Sequence, residues 1–241
     1  MYFEHSPAIW SDYPELVAGA VFAAGITSDA RIDSRLGAFT AIADSRLAAS
    51  SEGELPEIQA WRRAFSRMGL RPTQYRCAAE ALLRRYRKER LLPRIHPLVD
   101  LCNAVSLAVA IPIAVFDVAK ISENLVVRYA RGDEDYLSFS GETEHPQPHE
   151  VVFVDTAARV HARRWTNRQS AYSAVRDETT ATLIVLEGLH GSASTDVPKA
   201  TAVLADELTA IWSATPATAI LEPAAARFDF ATTKAARLRP G

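Results

Sequence analysis

The stretch that decides the fold is HPLVDLCNAVS, residues 96–106, near the middle of the chain. Pro97 suits the first position of a helix, where its missing N–H needs no partner, and His96 then occupies the cap position. The apolar residues that follow predict a helix that continues to about Ala110. The pattern changes on either side of this helix: mainly helical periodicity precedes it, and mainly strand-like segments follow it.

Three further helices are predicted before residue 96. Apolar residues at spacings of three and four predict a helix over 29–50. Pro56 is expected to begin a second helix that ends at Gly69, because proline favours helix starts and glycine favours helix ends. Thr73 is the predicted N-cap of a third helix. One buried strand is predicted within residues 16–26.

Strands dominate the prediction after Pro112. Short β-branched and aromatic segments separated by turn residues predict strands over 113–116, 125–130, 136–140, 151–154, 160–164 and 182–186. Asp196 and Pro198 are expected to open a last helix through Trp212. The pattern predicts an α+β fold, with a helical N-terminal half packed on a mainly antiparallel sheet layer. We expect one domain over 1–215 and a loosely packed tail over 216–241.

Composition indicates an ordinary globular protein. The 241 residues are 48% hydrophobic and 23% charged, and no apolar run approaches the roughly 18 to 20 residues that a membrane span requires. The first residues do not resemble a secretory signal, so a cytoplasmic location is expected. Cys77 and Cys102 fit neither a disulfide framework nor a zinc site, and are expected to be small buried thiols. A homo-oligomer is compatible with the sequence.

Charge is distributed unevenly along the chain. Residues 1–61 hold nine acidic and three basic side chains, whereas residues 62–94 hold eleven basic and two acidic ones. The second segment therefore carries a balance of +9 and could lie along a phosphate backbone. The alternative is that its arginines simply form a solvated surface.

Several catalytic motifs are absent from the sequence. It contains no phosphate-binding loop, no dinucleotide fingerprint, no metalloprotease helix and no nucleophile elbow. His145 and His149 are four apart, but Pro146 and Pro148 prevent the helix that would bring both rings to one metal. We therefore expect no metal, no cofactor and no covalent nucleophile.

An ordered set of motifs resembles a known family. The set is Gly69-x-x-Pro72, Tyr75-Arg76, the segments 80–85 and 96–106, Phe116-Asp117, Gly141-Glu142, the segments 150–152 and 164–170, and Glu178-Thr179. Together these motifs resemble the B3/B4 editing domain of the phenylalanyl-tRNA synthetase beta subunit, especially its freestanding relatives. The resemblance covers roughly residues 10–215. It implies hydrolysis of the ester that joins a wrong amino acid to tRNA, with aminoacyl-tRNA as the partner.

The resemblance also implies a set of site residues. His96 and the segment 182–188 would form two walls of one pocket, with Glu187 as the carboxylate that meets the substrate and His96 as the residue that orients water. The further candidates for substrate binding are Arg76, Asn103, Gly141 and Gly188. The candidates for tRNA binding are Arg84, Arg85, Arg164, Trp165 and Arg168.

The residues themselves leave alternatives open. Glu187 follows an apolar run, so its charge needs a partner, which could be a substrate amino group or simply an arginine. His96 could be only a helix cap, and Trp165 could belong to the core instead of stacking on the terminal adenine. Two other functions compete with the hydrolase: a noncatalytic RNA-binding module, and a hydrolase of small aminoacyl esters or amides.

Overall fold

Two sheets and six helices make up residues 1–230, the part of the chain that the computed structural model describes. The helices are α1 (Pro7–Asp12), α2 (Asp33–Ala49), α3 (Pro56–Arg67), α4 (Ala78–Glu89), α5 (Pro97–Val109) and α6 (Ala193–Trp212). The strands are β1 (Tyr2–His5), β2 (Val17–Ala24), β3 (Ile113–Asp117), β4 (Asn124–Tyr129), β5 (Asp135–Leu137), β6 (Thr143–Glu144), β7 (Val151–Asp155), β8 (Arg159–Arg163), β9 (Arg168–Gln169), β10 (Ala181–Gly188), β11 (Ala217–Leu221) and β12 (Arg227–Asp229). The predicted α+β class is confirmed.

The strands form a small sheet and a large sheet. The small sheet has the order β11-β2-β10-β3 and is antiparallel throughout. The large sheet has the order β12-β1-β4-β7-β8-β5-β6, with β9 paired to β8. Within the large sheet only the pairs β1–β4 and β5–β8 are parallel, so the prediction of a mainly antiparallel arrangement is confirmed.

Strand β10 lies at the centre of the molecule because both of its faces are covered. Leu183 and Val185 join a core cluster with Phe153 of the large sheet. Ile184 and Leu186 join a second cluster with residues of α5 and α6. Side chains alternate along a strand, so Glu187 lies on the same face as Leu183 and Val185, toward the large sheet.

Several element boundaries differ from the prediction: α2 begins at Asp33 instead of residue 29, and α6 begins at Ala193 instead of Asp196. Helix α4 begins at Ala78 instead of near Thr73, because Cys77 is the N-cap and the amides of Gln74 and Tyr75 bond to the carbonyl of Arg71 in a turn. Strand β5 ends at Leu137, because residues 138–141 form a hydrogen-bonded turn. Strand β1 and helix α1 were not predicted, since neither is long enough to show a clear period.

The segment after residue 215 also differs from the expected loose tail. Strand β11 pairs with β2, and strand β12 pairs with β1. Leu221, Phe228 and Phe230 are buried in the core between the sheets. Pairing and burial therefore extend at least to residue 230; the expectation for residues 231–241 lies outside the described residues.

Candidate functional site

An inner cavity of about 60 Å³ lies between the two sheets, beside the start of α4. The small sheet contributes side chains of β3 and β10, and the large sheet contributes Phe153 and Ala162. The loop from β8 to β9 and Ala78 complete the wall. The residues that line this inner cavity are Ala78, Pro112, Ile113, Ala114, Phe153, Ala162, Trp165, Thr166, Asn167, Arg168, Gln169, Val185 and Glu187.

Glu187 is the charged group best placed to act in this cavity. Its side chain is only 2% exposed, and Oε1 accepts hydrogen bonds from Trp165 Nε1 at 2.8 Å and from His5 Nε2 at 2.7 Å. Oε2 makes no hydrogen bond to any residue of 1–230, which leaves one carboxylate oxygen for a group inside the cavity. Two donors on one oxygen hold the carboxylate in a single orientation.

His5 reaches Glu187 from the other end of the chain. Strand β1 places it in the large sheet beside β4, where its ring packs against Phe3 and Trp10. Its Nδ1 is buried and has no hydrogen-bond partner among residues 1–230, so the contact with Glu187 is the polar anchor of the ring. No sequence motif points to His5, because it stands 182 positions from its partner.

The β8–β9 loop is held in an unusual conformation next to Glu187. Arg164 and Trp165 both adopt positive φ, 48° and 56°, although neither is glycine. Each such residue costs on the order of 1 to 3 kcal/mol and persists only where its surroundings enforce it. Here the amide of Trp165 donates to the carbonyl of Val151 at 2.7 Å, and its ring packs edge-on against Tyr13 and Trp61.

Thr166 provides a second unpaired polar group in the cavity wall. Its Oγ1 is buried without a hydrogen-bond partner among residues 1–230. Its backbone carbonyl accepts the amide of Ala78 at the start of α4, and the neighbouring Asn167 donates to the carbonyl of Arg76. The loop is therefore tied to α4 on one side and to Glu187 on the other.

A comparison with protein families decides the classification. Residues 60–202, more than half of the chain, match the model of the B3/4 domain. The chain belongs to the B3/4 domain family. Among solved structures it is similar to an N-terminal fragment of the phenylalanyl-tRNA synthetase beta subunit from Pyrococcus horikoshii, with 11% identity over 89% of this chain and a TM-score of 0.48. The chain spans 49% of that fragment, and no curated protein matches it.

His96 does not share the inner cavity of this B3/4 domain with Glu187, contrary to our expectation of one pocket. It begins α5, which packs on the face of the small sheet that carries Ile184 and Leu186, and Glu187 lies on the opposite face. Its Nδ1 accepts the amide of Leu98, so the predicted cap is confirmed. Burial lowers the pKa of His96, against the opposing charges of Asp177 and Asp100.

Trp165 is completely buried, so it has no free face for an adenine ring. The expected stacking role is therefore wrong, and its contribution is the hydrogen bond to Glu187.

The two glycine candidates have structural roles. Gly188 packs against α6, and a Cβ added there would lie 2.8 Å from the side chain of Val197, so close packing requires glycine at this position. Gly141 has a φ of +87° in the β5–β6 turn and does not line the inner cavity.

The remaining candidates lie around the cavity. The side chain of Arg76 bonds to the carbonyl of Thr73 and lies 3.5 Å from Glu80. Asn103 faces a neighbouring cleft on the other side of Ile113. Arg168 lines the inner cavity, pairs with Glu144 and packs over Tyr136. The guanidinium of Arg164 packs over Tyr75 and lies 3.9 Å from Glu150.

The basic segment 62–94 is partly neutralised in this B3/4 domain. Eight of its eleven cations form ion pairs, several of them with acidic residues of the segment 1–61. Arg84 pairs with Glu52, and Arg85 pairs with Glu89. Arg63, Arg71 and Lys88 make no ion pair with residues 1–230. The uneven charge along the sequence is thus partly compensated in space.

A second buried cluster contains the residue types of a hydrolase triad. Ser173 Oγ lies 2.8 Å from His161 Nδ1, and His161 Nε2 lies 3.2 Å from Asp155 Oδ2 without hydrogen-bond geometry. Ser173 and His161 are completely buried, and neither lines the inner cavity. The hydroxyl of Ser173 is therefore not presented to the inner cavity.

The two cysteines are buried and free, as predicted. Cys77 caps α4 and accepts the amide of Glu80 on its sulfur. Burial raises the pKa of Cys77 to about 12, and burial also raises the pKa of Cys102. Both thiols stay protonated near neutral pH, which argues against a nucleophilic role.

Proposed function

We propose that this chain hydrolyses the ester of misacylated tRNA, acting on tRNA that another protein has charged. The single observation that carries the proposal is the oriented carboxylate of Glu187, with one oxygen free beside the inner cavity. Membership of the B3/4 family supports the choice of substrate class. None of the helices within residues 1–230 could span a membrane.

The α-amino group of an aminoacyl ester is a cation of the right charge for Glu187. No Arg or Lys within residues 1–230 pairs with this buried carboxylate, and removing a charge from water costs several kcal/mol. A substrate ammonium bound to Oε2 would supply a counter-charge. Binding would then favour an esterified amino acid over an uncharged group of the same size.

Hydrolysis needs little more than a positioned water, because an aminoacyl ester is already reactive. Water adds to the ester carbonyl carbon, the bond to the ribose oxygen breaks, and that oxygen takes a proton as the free amino acid leaves. Thr166 lies in the cavity wall, and its buried Oγ1 has no hydrogen-bond partner among residues 1–230. The small size of the inner cavity restricts it to a compact part of the substrate.

The test is deacylation of a panel of misacylated tRNAs by the purified full chain. We expect release of the amino acid from at least one tRNA, measured as loss of the aminoacyl ester with time. A free amino-acid methyl ester serves as the comparison substrate, and equal turnover of that ester would favour the small-ester hydrolase. Absence of hydrolysis across the whole panel contradicts the proposal.

A noncatalytic tRNA-binding module is the second candidate, and the lining of the inner cavity favours it. The described residues that line the cavity include no His, Cys or Lys and a single carboxylate, that of Glu187, so the cavity offers few groups for general acid–base catalysis. This candidate predicts tRNA binding without turnover. Its signature is an affinity that falls linearly on a double logarithmic plot against salt concentration.

A further inference from the structure

A groove of about 400 Å³ lies among the helices and shares no residue with the inner cavity. Side chains of α2 and α6 line this helical groove, together with Val105, Ala108 and Val109 of α5. Ile42 of α2 and Val203 of α6 also line it, and they are 49% and 39% exposed. Large apolar side chains that are exposed together at a groove are typical of a surface that binds a partner.

Helix α2 buries little of itself against the rest of the described chain. Of its 17 residues only Ala43 is buried, and its apolar Phe39 and Ile42 both line the helical groove. A helix in a protein gains most of its stability from the packing of its apolar face. A partner that covers the helical groove would therefore add contacts that residues 1–230 do not provide.

The exposed face of α6 carries two opposite charges. Lys199, Ala202, Val203 and Asp206 are all exposed and, at spacings of three and four, share one face of the helix. Neither Lys199 nor Asp206 forms an ion pair with any residue of 1–230. They stand seven positions apart, about 10 Å along the helix axis, which is farther than the i,i+3 and i,i+4 pairs of a helix.

A second copy of the chain offers a surface that matches these charges. Lys199 and Asp206 stand at equal distances from the point midway between Ala202 and Val203. A two-fold axis through that point places α6 antiparallel to α6 of the second copy, and Lys199 of each copy then faces Asp206 of the other. The same contact covers Val203 and brings the second copy over the helical groove beside Ile42. Symmetric contacts of this kind are the commonest in homo-oligomers.

We propose that the helical groove and the exposed face of α6 form the interface of a symmetric dimer, in which Lys199 of each copy pairs with Asp206 of the other. The charges favour a second copy over an unrelated protein, because one helix carries both members of the pair at positions that the two-fold axis exchanges. The inference does not depend on the proposed hydrolysis, since the helical groove is separate from the inner cavity.

Sedimentation equilibrium of the full chain over a wide range of concentrations tests the dimer. We expect a mass of twice 26.4 kDa at high concentration and the mass of one chain after dilution. Lys199→Glu and Asp206→Lys each place like charges opposite each other, and each should raise the dissociation constant at least about tenfold. The double variant that combines the two changes exchanges the charges and should restore the natural dissociation constant.

The control is Lys88→Glu, which reverses an exposed cation of α4 that does not line the helical groove and should leave association unchanged. Thermal unfolding of each variant checks that the fold is intact. The mass of one chain at every concentration overturns the proposal. The proposal is also wrong if the single variants keep the natural dissociation constant, or if the double variant associates no better than they do, because the two charges would then not face each other.

Discussion

Two buried clusters in this B3/4 domain each bring a histidine to a carboxylate, but their surroundings differ. His161, Ser173 and Asp155 contain the residue types of a hydrolase triad, yet the hydroxyl is completely buried. His5 and Glu187 match no familiar catalytic motif, yet Glu187 lines a cavity and keeps one oxygen free. Access therefore separates a candidate site from a structural network better than residue type does.

The two carboxylates also differ in how completely they are satisfied. Asp155 accepts the amides of Ser122, Ala157 and Arg159, and its Oδ2 accepts two further bonds from the guanidinium of Arg159. Burial raises the pKa of Asp155, but the contact with His161 and these bonds outweigh it, so the pKa lies well below its usual range. A carboxylate with so many partners has little left to offer a substrate.

Asp155→Ala should give the largest effect, and on stability. The substitution leaves several amides and the guanidinium of Arg159 without their acceptor. Breaking a buried pair in this way typically costs about 3 kcal/mol or more of unfolding free energy. Urea unfolding measures the change, and the exposed Asp133→Ala is the matched control. The cluster of Asp155, His161 and Ser173 is called the closed cluster below, and a loss under about 1 kcal/mol would show that it does not stabilise the fold.

Glu187→Gln should instead lower activity. The amide side chain has the same shape as the carboxylate, and its oxygen can still accept the hydrogen bond from Trp165 Nε1. It lacks the negative charge that would bind a substrate ammonium. A hydrogen bond to a charged group contributes about 2 kcal/mol, which corresponds to roughly a 30-fold fall in kcat/KM for deacylation. Glu222→Gln, at an exposed carboxylate, is the control. An unchanged kcat/KM in Glu187→Gln would show that deacylation does not take place in the inner cavity.

Acid should weaken the fold through the closed cluster. Burial lowers the pKa of His161 and outweighs the opposing effect of Asp155. Because the folded pKa is below the unfolded one, the unfolded chain binds a proton first, and stability is lost as pH falls below about 6.5. The slope is at most about 1.4 kcal/mol per pH unit for this group, and the depressed pKa of Asp155 adds a loss of the same sign at lower pH.

Unfolding free energies of the natural chain and of His161→Gln, compared between pH 7.5 and pH 5.5, test this assignment. The variant should show a shallower dependence on pH, since it lacks the buried imidazole. His96 also has a lowered pKa, so some dependence should remain in the variant. Identical slopes would mean that the closed cluster does not take part in acid destabilisation.

The sequence predicts the elements of this fold better than it predicts the site. Helix α5 and strand β10 follow from local signals: a proline at the first helical position and a β-branched run. Glu187 could be singled out because a carboxylate ends that run. Its direction could not be predicted, because β10 is apolar on both faces and shows no alternation that would tell which sheet face the carboxylate takes.

Long-range partners explain the rest of what the sequence does not reveal. His5 and Thr166 have no local pattern that marks them: sheet pairing brings His5 to Glu187, and docking of the β8–β9 loop brings Thr166 to the inner cavity. The same reason explains why the charge balance of residues 62–94 suggested a more cationic surface than the fold has. Its cations are compensated by acids such as Glu52 and Asp44, which are distant along the chain. The composition gives the number of charged residues but not which of them form ion pairs in the fold.

Ser173→Ala should have the smallest effect, and it tests the comparison most directly. The change removes one hydrogen bond to His161, which typically costs about 1 kcal/mol of unfolding free energy. Deacylation per folded molecule should stay the same, because the hydroxyl is closed to substrate and the proposed water acts beside Glu187. The measurement is kcat/KM at a temperature where the natural chain and the variant are both fully folded. If the variant is folded but loses hydrolysis, the cluster opens during turnover and Ser173, not a positioned water, attacks the ester.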